Sequence, residues 1–262
     1  LQCNGTLSSS GPNNISFIGG TLATGSVNCT ISVTVTSSVS GSYTNGTTNM
    51  SGLSVGMTNS ANATLDVGVP VSGTVYSDVN HNGIDDLSEA GTGLTLYAKL
   101  IPSAAPGGPA IQAVLVDPST GVYSFPLVSF GNFIVVIDNN NSLGDVTPTI
   151  PAGWIGTEIP NQTRTSVVVG GPGTTNLNFG LFNGGVLSGQ VFDDRSSVAG
   201  TANNGVPNAG ESGIAGVTLQ VTHPSCPGSV CDTAVTNGAG TYQLWIPASV
   251  GNTSVSIVET NL

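Results

Sequence analysis

The stretch SDVNHNGIDDLSEAG, residues 77–91, places Asp78, Asn80, Asn82, Gly83 and Glu89 at the spacing of an EF-hand calcium loop. Calcium takes six to eight oxygen ligands at mixed angles. Asp78, Asn80 and Asn82 supply side-chain oxygens, Gly83 permits the sharp turn, and Ile84 offers its carbonyl. Asp86 can ligate directly or through water, and Glu89 with both oxygens. Only Asp78, Asp86 and Glu89 bring formal charge, so the expected affinity is modest, in the range of extracellular modules. The plainer reading of such a stretch is a solvated turn rich in Asn and Asp.

A second stretch echoes the first. Asp193 and Asp194 are followed by the insertion RSSVAGTA, then Asn204-Gly205 and Glu211. Pro207 and Asn208 stand where the first loop has Asp85 and Asp86. A calcium site can still close from Asp193, Asp194, Asn204 and Glu211, with Arg195 competing for an aspartate. The two loops hold half of the chain's 14 acidic residues, and such clustering calls for a counter-cation.

The remaining constellations are weaker. Cys3 and Cys29 pair locally, as do Cys226 and Cys231 around CPGSVC, and both pairs read as disulfides of an oxidising compartment. Zinc is the competing reading, but there is no C-x-x-C, and His81 and His223 complete no site. GLSVG matches the G-x-S-x-G nucleophile elbow at Ser54, a match that a chain this rich in Gly and Ser produces by chance. The acids gather in metal-like loops and not as paired carboxylates of a cleft. The chain therefore reads as non-enzymatic, with a secreted hydrolase as the remote alternative.

The elements that must hold these residues are strands. The 262 residues include 37 Gly and 15 Pro, and charged residues make up only 6%. Short Val/Ile/Thr runs such as CTISVTVTSSV and NFIVVID are separated by Gly, Pro and Asn, which marks an all-β chain with many turns. Tyr123, Phe125, Tyr242 and Trp245 read as packing residues on such strands. Three cations against 14 acids give a net charge of −11, which rules out gripping a phosphate backbone or an anionic membrane surface. No apolar run is long enough to span a membrane as a helix. The chain opens and closes as if cut from something longer, with no signal peptide at residue 1.

Two segments repeat each other in order. VSGTVYSD returns as LSGQVFDD, NGIDDLSEAGTGL as NGVPNAGESGIAGV, GVYSFPL as GTYQLWI, and GNFIVVID loosely as GNTSVSIVE. Three modules are expected: residues 1–67, a Ser/Thr-rich β segment; 68–183, a complete repeat; and 184–262, a second copy lacking its final portion. Each repeat is long enough for a seven-strand sandwich.

These motifs, in this order and twice, resemble the B-type repeats of serine–aspartate repeat surface adhesins of bacteria. The resemblance covers residues 71–262. It implies tandem immunoglobulin-like (Cna-B-like) β-sandwich modules outside the cell that bind Ca2+ and serve as a stalk between adhesive regions. Residues 1–67 resemble, less closely, a β-sandwich repeat that precedes such modules in large bacterial surface proteins. The alternative role is the repeating subunit of an extracellular filament or sheath, in which a strand from an identical copy completes a module. Related surface domains form Lys–Asn isopeptide bonds, but no motif names a partner for Lys99 in LTLYAKL, and its plainest place is exposed on a strand.

Overall fold

The computed structural model describes residues 4–9, 11, 14–21, 24–25, 34–35, 37–53, 62–195 and 201–260. No α-helix occurs among them. The chain divides into two compact units, residues 1–39 and 40–262. In the first, β1 (Thr6–Ser9) and β2 (Ile15–Ile18) form an antiparallel pair.

The second unit holds the remaining strands. β3 (Gly41–Asn45) pairs with β4 (Ala63–Val67). β5 (Val69–Ser77), β6 (Tyr97–Pro102), β7 (Gln112–Leu115) and β8 (Val122–Val128) follow. Then come β9 (Gly131–Asp138), β10 (Trp154–Gly156), β11 (Thr163–Val169) and the long β12 (Phe179–Gln190). β13 (Thr218–Thr222), β14 (Val230–Val235), β15 (Thr241–Pro247) and β16 (Ser256–Glu259) complete the chain.

Two sheets face each other over one core. One runs β10-β12-β5-β8, the other β11-β9-β6-β7. Alternation decides which side chains enter: Val71 and Val75 from β5, Tyr123 and Phe125 from β8, Ala98 and Leu100 from β6, and Val135 and Ile137 from β9. Phe179 and Leu181 of β12 are fully buried in the same cluster. Tyr123 and Phe125 meet edge to face, their centroids 5.9 Å apart, which confirms them as packing residues.

β12 belongs to two layers of the molecule at once. Its first half runs parallel to β5, Phe179 opposite Val75 and Leu181 opposite Ser77. Its second half runs antiparallel to β15, from Gly184–Pro247 to Gln190–Thr241. β15 faces the sheet β14-β13-β16 across a smaller core of Val217, Leu219, Val221 and Leu244. The sequence repeat is thus also a repeat of bonds. Val75 N donates to Gly121 O and Val191 N to Gly240 O, each at 2.8 Å, and the Tyr76–Gly91 bridge returns as Phe192–Gly213.

The copies differ at one edge. In the first, residues 174–181 lie beside β5 and complete it. Ser72 N donates to Thr174 O at 2.9 Å, Leu177 N to Ser72 O at 3.2 Å, and Tyr123 Oη to Leu177 O at 2.6 Å. Among the described residues no strand takes that place beside Leu187–Gln190, and no hydrogen-bond partner of the Tyr242 hydroxyl is found.

Gly184 marks the turning point within β12. A β-carbon there would sit 2.2 Å from Ile246 O and 2.4 Å from the Phe182 ring, whereas one at Gly185 meets nothing within 4 Å. Gly184→Ala is expected to destabilise the protein by about 1–3 kcal/mol, the usual cost of overpacking. Gly185→Ala, with open space, is expected to leave urea-unfolding midpoints nearly unchanged. Equal midpoints for both variants would show that the close approach at Gly184 carries no constraint.

Candidate metal loops and the buried lysine

The first loop leaves the end of β5, where Asp78 N donates to Leu181 O at 3.0 Å and so ties the loop to β12. The Asp78 carboxylate is fully buried. It accepts from Asn82 N at 3.1 Å and Gly83 N at 2.8 Å. Gly83 takes φ +71°, the left-handed turn its position in the loop calls for. Asn82 Oδ1 accepts from Ile84 N at 2.8 Å, and Asn80 Oδ1 from Asn82 N at 3.1 Å. Glu89 folds back to accept from Val79 N at 2.9 Å and Asp86 N at 3.2 Å. The side-chain amides of Asn80 and Asn82 both donate to Asp86 Oδ2, at 2.9 and 3.0 Å.

The loop therefore gathers Asp78, Asn80, Asn82, Asp86 and Glu89 into one network, the set singled out by their spacing. Ile84 joins it through its backbone and turns its side chain outward. Asp85 points instead at Asn178, whose Nδ2 lies 3.1 Å from its carboxylate. The donors are all oxygens, the set calcium prefers. No cluster of three or more His, Cys, Asp or Glu side chains arranged to hold a metal ion occurs among the described residues. The asparagine amides stand among the carboxylates, and their nitrogens donate to Asp86.

The second loop repeats this network with other residues. Asp194 accepts from Asn204 N at 3.2 Å and Gly205 N at 2.7 Å, the bonds Asp78 makes in the first loop. Asn208 takes the part of Asp86: its N donates to Glu211 Oε2 at 2.7 Å and its Nδ2 to Asn204 Oδ1 at 3.2 Å. Asp193 spends both oxygens on Arg195, at 2.6 and 2.7 Å. Glu211 Oε1 is buried without a hydrogen-bond partner among the described residues. In the first loop the matching oxygen accepts from Val79 N. An orphaned buried carboxylate oxygen is costly, and a bound cation would satisfy it. Asn208 is the loop member that the spacing alone does not reveal, because the motif leaves that position unspecified.

Loop 1 also reaches the second copy. His81 stacks on Trp245, with ring centroids 5.1 Å apart and planes 9° from parallel, and Phe182 meets both rings edge-on. His81 Nε2 lies 3.2 Å from Asp232 Oδ1, and Trp245 N donates to Asp232 Oδ2 at 2.8 Å. Trp245 is thus a packing residue, but of the junction. Asp232 follows Cys231, whose disulfide to Cys226 is present as expected. Cys3, Cys29 and Ser54 lie outside the described residues.

Lys99 is not exposed, contrary to expectation. Its side chain is completely buried. Leu96, Ala98 and Leu100 face the core, so Lys99 points out of the other side of the sheet. Residues 139–149 fold over that face, where Ile101, Ala110 and Val136 form a second apolar patch with Val146. Lys99 Nζ bonds the Asp138 carboxylate, Asn140 Oδ1 at 3.1 Å and Asp145 O at 2.6 Å.

Residues 1–67 match the family model of a domain of unknown function, DUF7933. No curated protein matches the chain. Among solved structures, the Bacillus anthracis TIE protein is similar over 75% of this chain and 29% of its own, at 12% identity and a TM-score of 0.30. This chain thus spans less than a third of that protein's length. No helix among the described residues is long and apolar enough to cross a membrane.

Burial raises the Glu89 and Asp85 carboxyls above their ordinary range, and the nearby Asp78 and Asp86 charges add to this. Burial likewise raises Glu158. At Asp138 burial also pushes upward, but the hydrogen bonds from Lys99 and Thr149 outweigh it and hold the carboxyl low. Hydrogen bonds from Thr120 and Ser119 lower Asp117 to about 2. A raised folded-state value means stability that is full below the ordinary value and lost as pH rises through the raised one. A lowered value means the reverse. In chelator, melting temperature should therefore rise as pH falls from neutrality towards the ordinary glutamate value of 4.5, then fall as Asp138 and Asp117 protonate. Glu89→Gln should flatten the first limb alone. A melting temperature that is level or declining over that limb would contradict the assigned strain.

Proposed function

We propose that this chain is a non-catalytic, calcium-rigidified segment of an extracellular bacterial surface protein, built from tandem immunoglobulin-like, Cna-B-like sandwich modules. The observation that carries this reading is the place of the first loop. It is tied to β12 through Leu181 O and to the second copy through His81, Trp245 and Asp232. A cation held by Asp78, Asn80, Asn82, Asp86 and Glu89 would neutralise the loop and fix His81 against its partners. Its chemistry there is that of a structural counter-charge. The second loop would hold a cation through Asp194, Asn204 and Glu211, with Asn208 as a further oxygen donor. The disulfide between Cys226 and Cys231 supports an oxidising compartment.

Calcium titration followed by thermal melting tests this. Calcium at a hundredfold excess over Kd should add about 2.7 kcal/mol per independent site. Glu89→Gln should remove the gain of the first site, and Glu211→Gln that of the second. A melting temperature unchanged between chelator and millimolar calcium would end the rigidifying role.

The open edge beside Leu187–Gln190 favours a second reading, the subunit of a filament or sheath. There a strand from an identical copy would fill the place that residues 174–181 fill in the first copy. Size-exclusion chromatography with electron microscopy separates the two. Concentration-dependent growth into linear assemblies supports the filament, and a persistently monodisperse monomer supports the stalk segment.

A further inference from the structure

Asn-Gly occurs six times in the chain, beginning at Asn4, Asn45, Asn82, Asn183, Asn204 and Asn237. Glycine's bare backbone lets its own nitrogen reach the carboxamide of the residue before it. The fold treats these pairs differently. In the second unit, Gly46 N donates to Asn49 Oδ1 at 3.1 Å and Gly184 N to Gly153 O at 2.8 Å. Gly83 N and Gly205 N donate to the carboxylates of Asp78 and Asp194, at 2.8 and 2.7 Å. Each of these bonds keeps the proton on the glycine nitrogen and holds that nitrogen in place. Of the five glycines in this unit, Gly238 alone has a backbone N–H with no acceptor among the described residues.

The Asn237 side chain is held ready for attack. It heads the turn NGAG, where Asn237 N donates to Thr241 O at 3.0 Å and Gly240 N to Asn237 O at 2.8 Å. Its Oδ1 accepts from Ala239 N at 2.9 Å and Thr241 N at 3.1 Å. Two N–H groups on a carboxamide oxygen stabilise the negative charge that addition to Cγ places there. Asn237 and Gly238 are both exposed, so water reaches them. The first copy has an acid in the same role. Asp117 heads the turn DPSTG, which is one residue longer, and its Oδ1 accepts from Ser119 N and Thr120 N, both at 2.9 Å. A turn of this kind therefore accommodates a carboxylate as well as a carboxamide.

We propose that Asn237 of the folded protein is a self-modification site, converted to an acid through Gly238 with water as co-reactant. Hydroxide takes the Gly238 N proton and becomes water. The nitrogen adds to Asn237 Cγ. The Cγ–Nδ2 bond breaks, and Nδ2 leaves as ammonia with a proton from water, which restores the hydroxide. The product is a cyclic imide, and a water molecule then opens it. Opening at Cγ leaves aspartate on an unchanged backbone. Opening at the Asn237 backbone carbonyl leaves isoaspartate, with the chain passing through Cγ. One water is consumed and one ammonia released, and nothing is oxidised or reduced. The new charge stands beside the open edge of β12, where Gln190 Nε2 donates to Ala239 O at 2.9 Å. The reaction is independent of whether the loops bind calcium.

Peptide mapping by mass spectrometry tests this on the full chain, stored folded in chelator at mildly alkaline pH. The peptide holding Asn237 should become heavier by the exchange of NH for O, while Asn45, Asn82, Asn183 and Asn204 keep their amides. In urea all five should convert together, since the bonds that protect four of them are gone. A β-carbon at Gly238 meets nothing within 4 Å, so Gly238→Ala keeps the fold, and conversion over the same period should be lost. An Asn237 that keeps its amide in the folded chain, while urea exposes it to conversion, overturns the proposal. So does conversion of the other four pairs as fast as Asn237 in the folded chain. Conversion at the wild-type rate in Gly238→Ala also overturns it, because direct hydrolysis would then be the route.

Discussion

The unbroken run of β12 is the constraint on which the rest of this unit depends. A strand cannot bend freely at its centre while both halves are hydrogen-bonded into sheets. Phe179 and Leu181 are locked into the first core, and the register from Gly184 to Gln190 is locked to β15. The relative setting of the two copies is therefore fixed by backbone pairing and not by a flexible linker. Linked modules ordinarily move relative to each other unless their interface is large and apolar. Here a small aromatic contact suffices, because the strand has already removed most of the freedom. Aromatic pairs of the kind made by His81, Phe182 and Trp245 contribute about 0.5–1.5 kcal/mol each. That is enough to choose one setting among the few that β12 leaves open.

The repeat and strands such as β9 were legible in the sequence because both depend on local pattern, whereas the expected strand CTISVTVTSSV falls largely outside the described residues. GNFIVVID, for instance, is β9 residue for residue. The first loop was legible because its spacing is a property of consecutive residues. The junction was less so. Residue 183 is the last of the expected first repeat, yet the strand runs on through 184 to 190. Nothing in Asn183-Gly184-Gly185 announces continuity, since two glycines more often end a strand. The close approach of Ile246 O explains at least one of them.

Lys99 shows what local pattern cannot give. Alternation with Leu96, Ala98 and Leu100 correctly sends it to the opposite face of the sheet. It does not say that residues 139–149 will cover that face. The covering depends on contacts distant in sequence, such as Ala110 N to Leu143 O at 2.7 Å and the packing of Val146. An available signal was the density of Asn and Asp in IDNNNSLGD, directly after a strand that must pair near Lys99. A buried lysine needs acceptors, and of the two stretches this dense in Asn and Asp only this one follows a strand paired with β6.

The placement of charge makes one physical argument out of these separate sites. The chain has three lysines and arginines, and each is committed to an acid outside the first loop. Lys99 holds Asp138, Arg164 holds Glu158, and Arg195 holds Asp193. His81, the nearest ionisable base on the loop, turns to Asp232 of the second copy. Among the described residues, Asp78, Asp86 and Glu89 have amide N–H groups and asparagine side chains as their hydrogen-bond donors. Hydrogen bonds can hold such a loop closed, but Glu89 is held there above its ordinary range, against the cost of its own ionisation. A sequence so sparing of charge could have used neutral residues at these positions, as turns commonly do. Three carboxylates with no protein cation among the described residues, beside a junction otherwise fixed by the backbone, are the physical ground for the proposed cation.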